Sequence, residues 1–262
     1  MYSRQRDLAI NRMVTRKNHT CYGMGIGIMV LDDAYPGFPG DVRNASAWGF
    51  PIQYEIAEGV DNYTLVWEQD KTPCRAPIIR AAQKLERMGC RAIAAECGYF
   101  AYFQKDVAGA VDVQVFMSSL LQVPFIQQTI GPKKDVGIVC AQKRFLTDNH
   151  LANVGITVGS NYKIAGAQDE YGCPEFDHLW DHEKRPAIPE AYYDKAEADM
   201  IRICKEFVAK YPSIGAIMLE CTGMQMFARA IQRELYLPVW SWGTLLDHAF
   251  SVVAHRDYYG HI

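Results

Sequence analysis

Apolar residues fall into short unbroken runs along this chain, separated by amphipathic stretches. Gly25-Ile26-Gly27-Ile28-Met29-Val30-Leu31 is uninterrupted, which predicts a strand buried on both faces, with Asp32-Asp33 at its carboxyl end. Arg91 to Glu96, Val113 to Met117, Val136 to Cys140, Ile214 to Glu220 and Val239 to Trp242 are read as strands too. Pro51 to Val60, Tyr63 to Glu68 and Ile156 to Val158 are predicted as further short strands. Between them, Ile78, Ile79, Ala82 and Leu85 recur at helical spacing, predicting a helix from Pro77 to Met88 closed by Gly89. Further helices are expected over Leu120–Thr129 (with a kink or early start at Pro124), Phe145–Val154, Ala191–Lys210, Met224–Leu235 and Thr244–His255. Strands alternating with helices throughout imply an α/β protein built on parallel sheets with right-handed crossovers.

One pattern occurs twice. Ala92-Ile93-Ala94-Ala95-Glu96-Cys97 returns as Ala216-Ile217-Met218-Leu219-Glu220-Cys221, 124 positions later. Nineteen residues beyond each cysteine comes a matching apolar run, at Phe116 and at Trp240. A strand, a cysteine, a helical stretch and a second strand are therefore laid down twice in one register. The expected organisation is an arm over residues 1–20, a first lobe over 21–131 carrying Cys97 and a second over 132–242 carrying Cys221. The last helix, within 243–262, is available to complete the first lobe. Approximate twofold symmetry would place Cys97 and Cys221 at equivalent strand ends, facing each other across a cleft.

Composition adds exclusions. The 262 residues are 49% hydrophobic and 22% charged, with a formal net charge of −3, so nothing global points to nucleic acid or to an anionic membrane. No apolar run approaches the roughly 20 residues a membrane span needs. Residues 1–20 are basic and polar, which is read as a loosely ordered arm in preference to a transit peptide. Eight cysteines lack a disulfide framework spacing, so free thiols in a reducing, cytoplasmic compartment are expected. The glycines around Ile26 lie within a strand, whereas a dinucleotide-binding turn needs them after it.

The two cysteines carry the candidate chemistry. Each ends a strand and begins a helix, whose amino terminus holds roughly half a positive charge. That position is expected to bring a thiol below its usual value of about 8.5. A thiolate and a thiol on opposite faces of one substrate form a base and an acid, enough to invert a carbon next to a carboxylate without a cofactor. Backbone N–H groups at the helix starts, with Gly98, Thr222 and Gly223, are candidates to hold the developing enolate. Arg43 and Asn44, in the Gly- and Pro-rich loop after the first strand, and Ser118, after the strand ending at Met117, are further candidate substrate contacts. Tyr99, Trp48, Trp240 and Trp242 are candidates for an aromatic wall able to hold a cation, sulfonium included. Glu96 and Glu220 should point to the strand face opposite their cysteines and are read as supporting residues. Gly166 to Pro189 is irregular and polar, read as an inserted loop or lid.

The two motifs, with Cys221-Thr222, resemble those of the aspartate/glutamate racemase superfamily. That group includes hydantoin racemases, maleate isomerases, arylmalonate decarboxylases and algal-type dimethylsulfoniopropionate lyases. The resemblance runs from about Gly25 to the Arg256–Gly260 tail. It implies two Rossmann-like lobes, an active site between them, Cys97 and Cys221 as the catalytic pair, no cofactor, a small carboxylate substrate and a homodimer. The chain departs from the amino-acid racemases after each cysteine. Gly98-Tyr99 stands where they carry Asn-Thr, and Gly223-Met224 follows Thr222 where a polar pair is common.

Three activities follow. A racemase or epimerase is the first expectation. A lyase using the same proton abstraction, for example on dimethylsulfoniopropionate, is the second, and a non-catalytic binding protein the third. Cys173, His178 and His182 have a spacing that invites zinc but lie in the polar insertion, so no metal is expected.

Overall fold

The computed structural model describes Thr15, residues 19–256 and Tyr258. Most of the basic arm, with its transit-peptide alternative, and most of the Arg256–Gly260 tail lie outside the described residues. Two parallel sheets of four strands carry the chain. The first contains β1 (Ile26–Leu31), β2 (Ile52–Ala57), β3 (Ala92–Ala95) and β4 (Gln114–Phe116), in the order β2-β1-β3-β4. The second contains β5 (Asp135–Cys140), β6 (Tyr162–Gly166), β7 (Ile214–Leu219) and β8 (Val239–Trp240), in the order β6-β5-β7-β8. The repeat survives in the pairing. Ile93 opposes Val115 and Ala94 opposes Phe116, as Ile217 opposes Val239 and Met218 opposes Trp240.

Helices cover both sheets, which is why the central strands read as continuous apolar runs. α1 (Thr72–Arg87) and α2 (Gln104–Ala108) follow the first sheet's strands, and α3 (Val123–Ile130) leads to the second sheet. α4 (Asp148–Asn153), α5 (Pro174–Trp180), α6 (Tyr193–Lys210) and α7 (Ala228–Leu235) belong to the second half of the chain. α8 (Trp242–Val253) returns to the first: its Trp242, Leu245, Leu246 and Ala249 pack on Ile26, Ile28, Ala92 and Ala94. The other face of the first sheet shares one core with the second, running from Leu85, Ile93 and Ala95 to Val136, Ile138 and Met218. The lobes are therefore fused by apolar packing. Among the described residues no helix is long and apolar enough to cross a membrane.

Several local expectations change. Tyr63–Trp67 is a single π-helical turn, closed by the Glu68 N–H on the Tyr63 carbonyl at 3.0 Å, where β-formers had suggested a strand. Leu65 and Val66 are consecutive and both buried, which a half-buried strand does not allow. α1 begins a turn earlier than expected, with Pro73 in its first turn and Pro77 inside it. Ile156–Val158 is not a strand; pairing with β5 is made by Tyr162–Gly166, beyond the Gly159-Ser160 turn. Trp242 opens α8, whose start Ser241 caps. The insertion contains α5, so it is less irregular than its composition suggests.

Candidate active site

β3 stops at Ala95 and β7 at Leu219, and in each case Glu-Cys follows before a 3-10 turn. Cys97 is the extended cap of Gly98–Phe103, and Cys221 is the extended cap of Thr222–Phe227. The Tyr99 N–H acts on the sulfur of Cys97, and the Gly223 N–H acts on that of Cys221, each two residues on. The pseudosymmetry thus extends to individual donors. Both cysteines line one cavity of about 430 Å³ between the lobes.

The thiols are not the acidified groups the helix-start argument predicts. Burial pushes both Cys97 and Cys221 well above the ordinary thiol value, and the Glu220 carboxyl pushes each further. One short 3-10 turn offers a small field, and loss of hydration outweighs it. At rest the cavity therefore holds two neutral thiols.

Glu96 also lines the cavity, contrary to the alternation argument. Strand geometry ends at Ala95, so nothing forces Glu96 and Cys97 to opposite faces. Its carboxyl accepts from the Tyr35 hydroxyl at 2.7 Å and pairs with Arg43 Nε at 2.9 Å. Burial pushes it up to about 8, while Arg43 and the Tyr35 hydrogen bond pull it back. Glu220, its counterpart in the repeat, is fully buried with neither carboxyl oxygen hydrogen-bonded, and burial lifts it to about 8.

The other sequence candidates separate. Tyr99 and Thr222 line the cavity. The Tyr99 hydroxyl donates to the Gln142 carbonyl at 2.7 Å and accepts from the Gln142 N–H at 3.0 Å, tying the lobes together behind the site. Gly98 and Gly223 are close-approach positions. A methyl on Gly98 would stand 2.0 Å from Glu220 Oε1, and one on Gly223 would stand 2.3 Å from Trp180 Cη2. Arg43 does not face the cavity: it is engaged by Glu96 and the Asp33 carbonyl and lies 4.3 Å over the Tyr35 ring. Asn44 caps the Ala45–Ala47 turn and binds Ser46, and buried Ser118 faces the Leu120 N–H at 3.3 Å. Neither borders the cavity.

The aromatic wall exists, made by other residues. Trp48 packs on Phe50, Trp240 on Phe125, and Trp242 donates to the Glu220 carbonyl at 2.7 Å in the core. Tyr35, Trp67 and Trp180 join Tyr99 at the cavity instead. Trp180 belongs to the insertion, which acts as a cover. It packs edge-on to Tyr35 at 6.2 Å, its carbonyl accepts from Asn62 Nδ2, and Arg185 grips Asp33 through two contacts of 2.9 and 3.0 Å. Asn62, Gln142, Gln168 and Thr222 supply neutral polar groups, and among the described residues no Lys, Arg or His lines the cavity. Gln142 and Leu31 follow a rule the sequence offered, that ligands bind at the carboxyl ends of parallel strands. Trp67 and Trp180 had no such signal.

Cys173 is fully buried, whereas His178 and His182 are exposed and His182 lies on the Tyr63 ring at 4.6 Å. Among the described residues no three His, Cys, Asp or Glu side chains gather as a metal site.

Comparison with known proteins agrees with this architecture. No family model matches the chain. It is 27% identical over 225 residues to a dimethylsulfoniopropionate lyase of Durusdinium sp. clade D, covering 82% of this chain and 70% of that protein. It is 26% identical over 227 residues to dimethylsulfoniopropionate lyase 7 of Emiliania huxleyi, covering 84% of this chain but only 64% of that longer protein. The fold matches allantoin racemase from Klebsiella pneumoniae with a TM-score of 0.56 at 14% identity, over 88% of each chain. It matches Picrophilus torridus aspartate racemase at 0.53 and 13% identity, over 90% of this chain and 96% of that one. Unliganded arylmalonate decarboxylase matches at 0.54 and 12% identity, over 90% and 94%. The resemblance carried by the two cysteine motifs therefore holds in sequence towards the lyases and in fold towards the racemases and the decarboxylase.

Proposed function

We propose that this chain is a cofactor-independent lyase that removes the proton α to a carboxylate and expels a β-sulfonium group, as in dimethylsulfoniopropionate. The observation that carries this reading is the cavity lining. Four aromatic rings and the Glu96 carboxyl border it, and among the described residues no cationic side chain does. Ring faces attract an onium group, and the Glu96 carboxyl, pushed up to about 8 by burial, adds to that attraction as it ionises. A second substrate carboxylate, as in aspartate or glutamate, would meet no positive partner there. The substrate's single carboxylate is left to the neutral donors Asn62, Gln142, Gln168 and Thr222.

The substrate's own charge adds to the pull that Lys71, outside the lining, already exerts on Cys97. A sulfonium entering beside two neutral thiols favours thiolate formation, reversing part of the penalty that burial imposes. The thiolate takes the proton from the carbon next to the carboxylate. The electron pair of that C–H bond becomes the new C=C bond, and the C–S bond breaks with its electrons on sulfur. Acrylate and dimethyl sulfide leave, the proton taken from carbon restores the resting thiol, and the one proton released to solvent is the one the thiol gave up when the thiolate formed. Backbone N–H groups at the two 3-10 turns oppose the charge that develops on the enolate.

Racemisation is the second reading, favoured by one observation: a thiol reaches the same cavity from each lobe. The two readings separate in heavy water by proton NMR. Dimethylsulfoniopropionate is expected to give acrylate and dimethyl sulfide, with turnover abolished in at least one of Cys97→Ser and Cys221→Ser. Deuterium appearing in recovered aspartate, glutamate or hydantoin, without any alkene, would replace the lyase by the racemase. Ligand binding without turnover of any of these, unchanged in both serine variants, would leave a binding protein.

A further inference from the structure

A second cavity adjoins the first, sharing Val66 and Trp67 as walls, with a volume of about 810 Å³. Its chemistry is the reverse of its neighbour's. Lys71 and Arg144 both line it, and neither has a carboxylate partner among the described residues. Lys71 is only 6% exposed, and its ammonium donates to the Glu68 carbonyl. Arg144 lies 4.9 Å over Trp67 and 4.7 Å over Phe145, with Nε and one terminal nitrogen held by Gln142 Oε1. Its other terminal nitrogen keeps donors to offer.

His150 closes the floor of the same cavity. The ring is 1% exposed, and its Nδ1 accepts the Thr147 N–H at 3.2 Å, so in the neutral ring the hydrogen is on Nε2. Nε2 is buried with no hydrogen-bond partner among the described residues, and the ring packs edge-on to Tyr99 and Tyr102, so His150 contributes a firm wall to the cavity. The one carboxylate on the wall among the described residues is Glu68, which is exposed, engages the Tyr63 hydroxyl and acts on Lys71 from beyond ion-pair distance. Two cations outside every ion pair among the described residues ask for an anion. Trp67, Phe145 and Tyr102, all on the wall, ask for a flat apolar body attached to it.

We propose that this cavity is a binding site for an aromatic or similarly planar carboxylate, separate from the cysteine cleft. The proposal is read by binding alone, so it stands or falls independently of which reaction the cleft performs. The test is calorimetric titration of the intact protein with benzoate, benzamide and benzylammonium. Benzoate should bind with one-to-one stoichiometry, at least about tenfold more tightly than either of the others, as expected when charged donors meet a carboxylate. Arg144→Gln, at an exposed position, and Lys71→Met, which keeps the buried bulk, should each weaken benzoate at least about fivefold. Thr222→Val, in the cleft, should leave it unchanged. Absence of benzoate binding, equal binding of benzamide, or affinity that falls in Thr222→Val and persists in both cavity variants would overturn the assignment.

Discussion

Gly98 of the first lobe and Glu220 of the second touch, so closely that any side chain at residue 98 would enter the Glu220 carboxyl group. The contact fixes the distance between the two cysteine-bearing turns, because each residue is the immediate neighbour of one cysteine. Gly98 follows Cys97 and Glu220 precedes Cys221. The absence of a side chain at residue 98 is thus a condition for the cleft to exist.

Gly98→Ala should destabilise the fold by about 2–4 kcal/mol, since overpacking here meets a rigid neighbour. Adding Glu220→Ala should recover only part of the loss, because the main-chain carbonyl of Glu220 also lies 2.6 Å from the new methyl. Urea unfolding of the single and double variants measures this. Full recovery would mean that the side chain alone is the obstacle.

Acid groups buried without adequate partners make stability fall with rising pH. Glu96 and Glu220 are raised to about 8 and Asp41 to about 6, each chiefly by burial. The folded chain keeps protons that the unfolded chain releases above about pH 4.5, so unfolding is favoured progressively until those groups ionise. The penalty is absent below the unfolded values, grows through the window and is complete above about pH 8. Glu220→Gln should stabilise by about 1–3 kcal/mol at pH 8.5 and by much less at about pH 5. Unfolding midpoints at the two pH values check it, and an equal shift at both would disprove the protonation argument.

The cover over the cleft rests on a second close approach. Gly223→Ala would drive its methyl into Trp180, which belongs to the insertion and can be displaced. Turnover should fall at least about tenfold, while stability drops by no more than about 2 kcal/mol. Combining it with Trp180→Ala should restore stability and leave turnover low, because the ring is itself part of the cavity wall. Recovered turnover in the double variant would show that Trp180 does not shape the site.

Arg185 fastens the same cover to Asp33 by a two-point ion pair. Arg185→Ala should raise KM about three- to tenfold with a smaller change in kcat, as expected when the closed state loses one restraint outside the reacting groups. Steady-state kinetics against a thermal melt separates this from unfolding. A drop in kcat at unchanged KM would place Arg185 in the chemistry instead.

Much of this architecture was written along the chain. Residues 92–97 and 216–221 repeat, and that repetition predicted two parallel lobes with Cys97 and Cys221 at matching strand ends. Such features depend on near neighbours in sequence: apolar runs, turn residues and their spacing set strand and helix, and duplication copies the result. Tyr63–Trp67 shows the limit even there, because β-forming side chains yielded to a π turn that tertiary packing selected.

What tertiary structure alone decided is which side chains meet at the cleft and in what charge state. Tyr35, Trp67 and Trp180 reach it from three separate segments, whereas Trp48, Trp240 and Trp242 turn to other contacts. The protonation of Cys97 and Cys221 also reverses, from the low value a helix start suggests to the high value burial imposes. The physical reason is common to both. Hydration and cross-chain contact are set by residues tens to hundreds of positions away, and no local pattern carries that information.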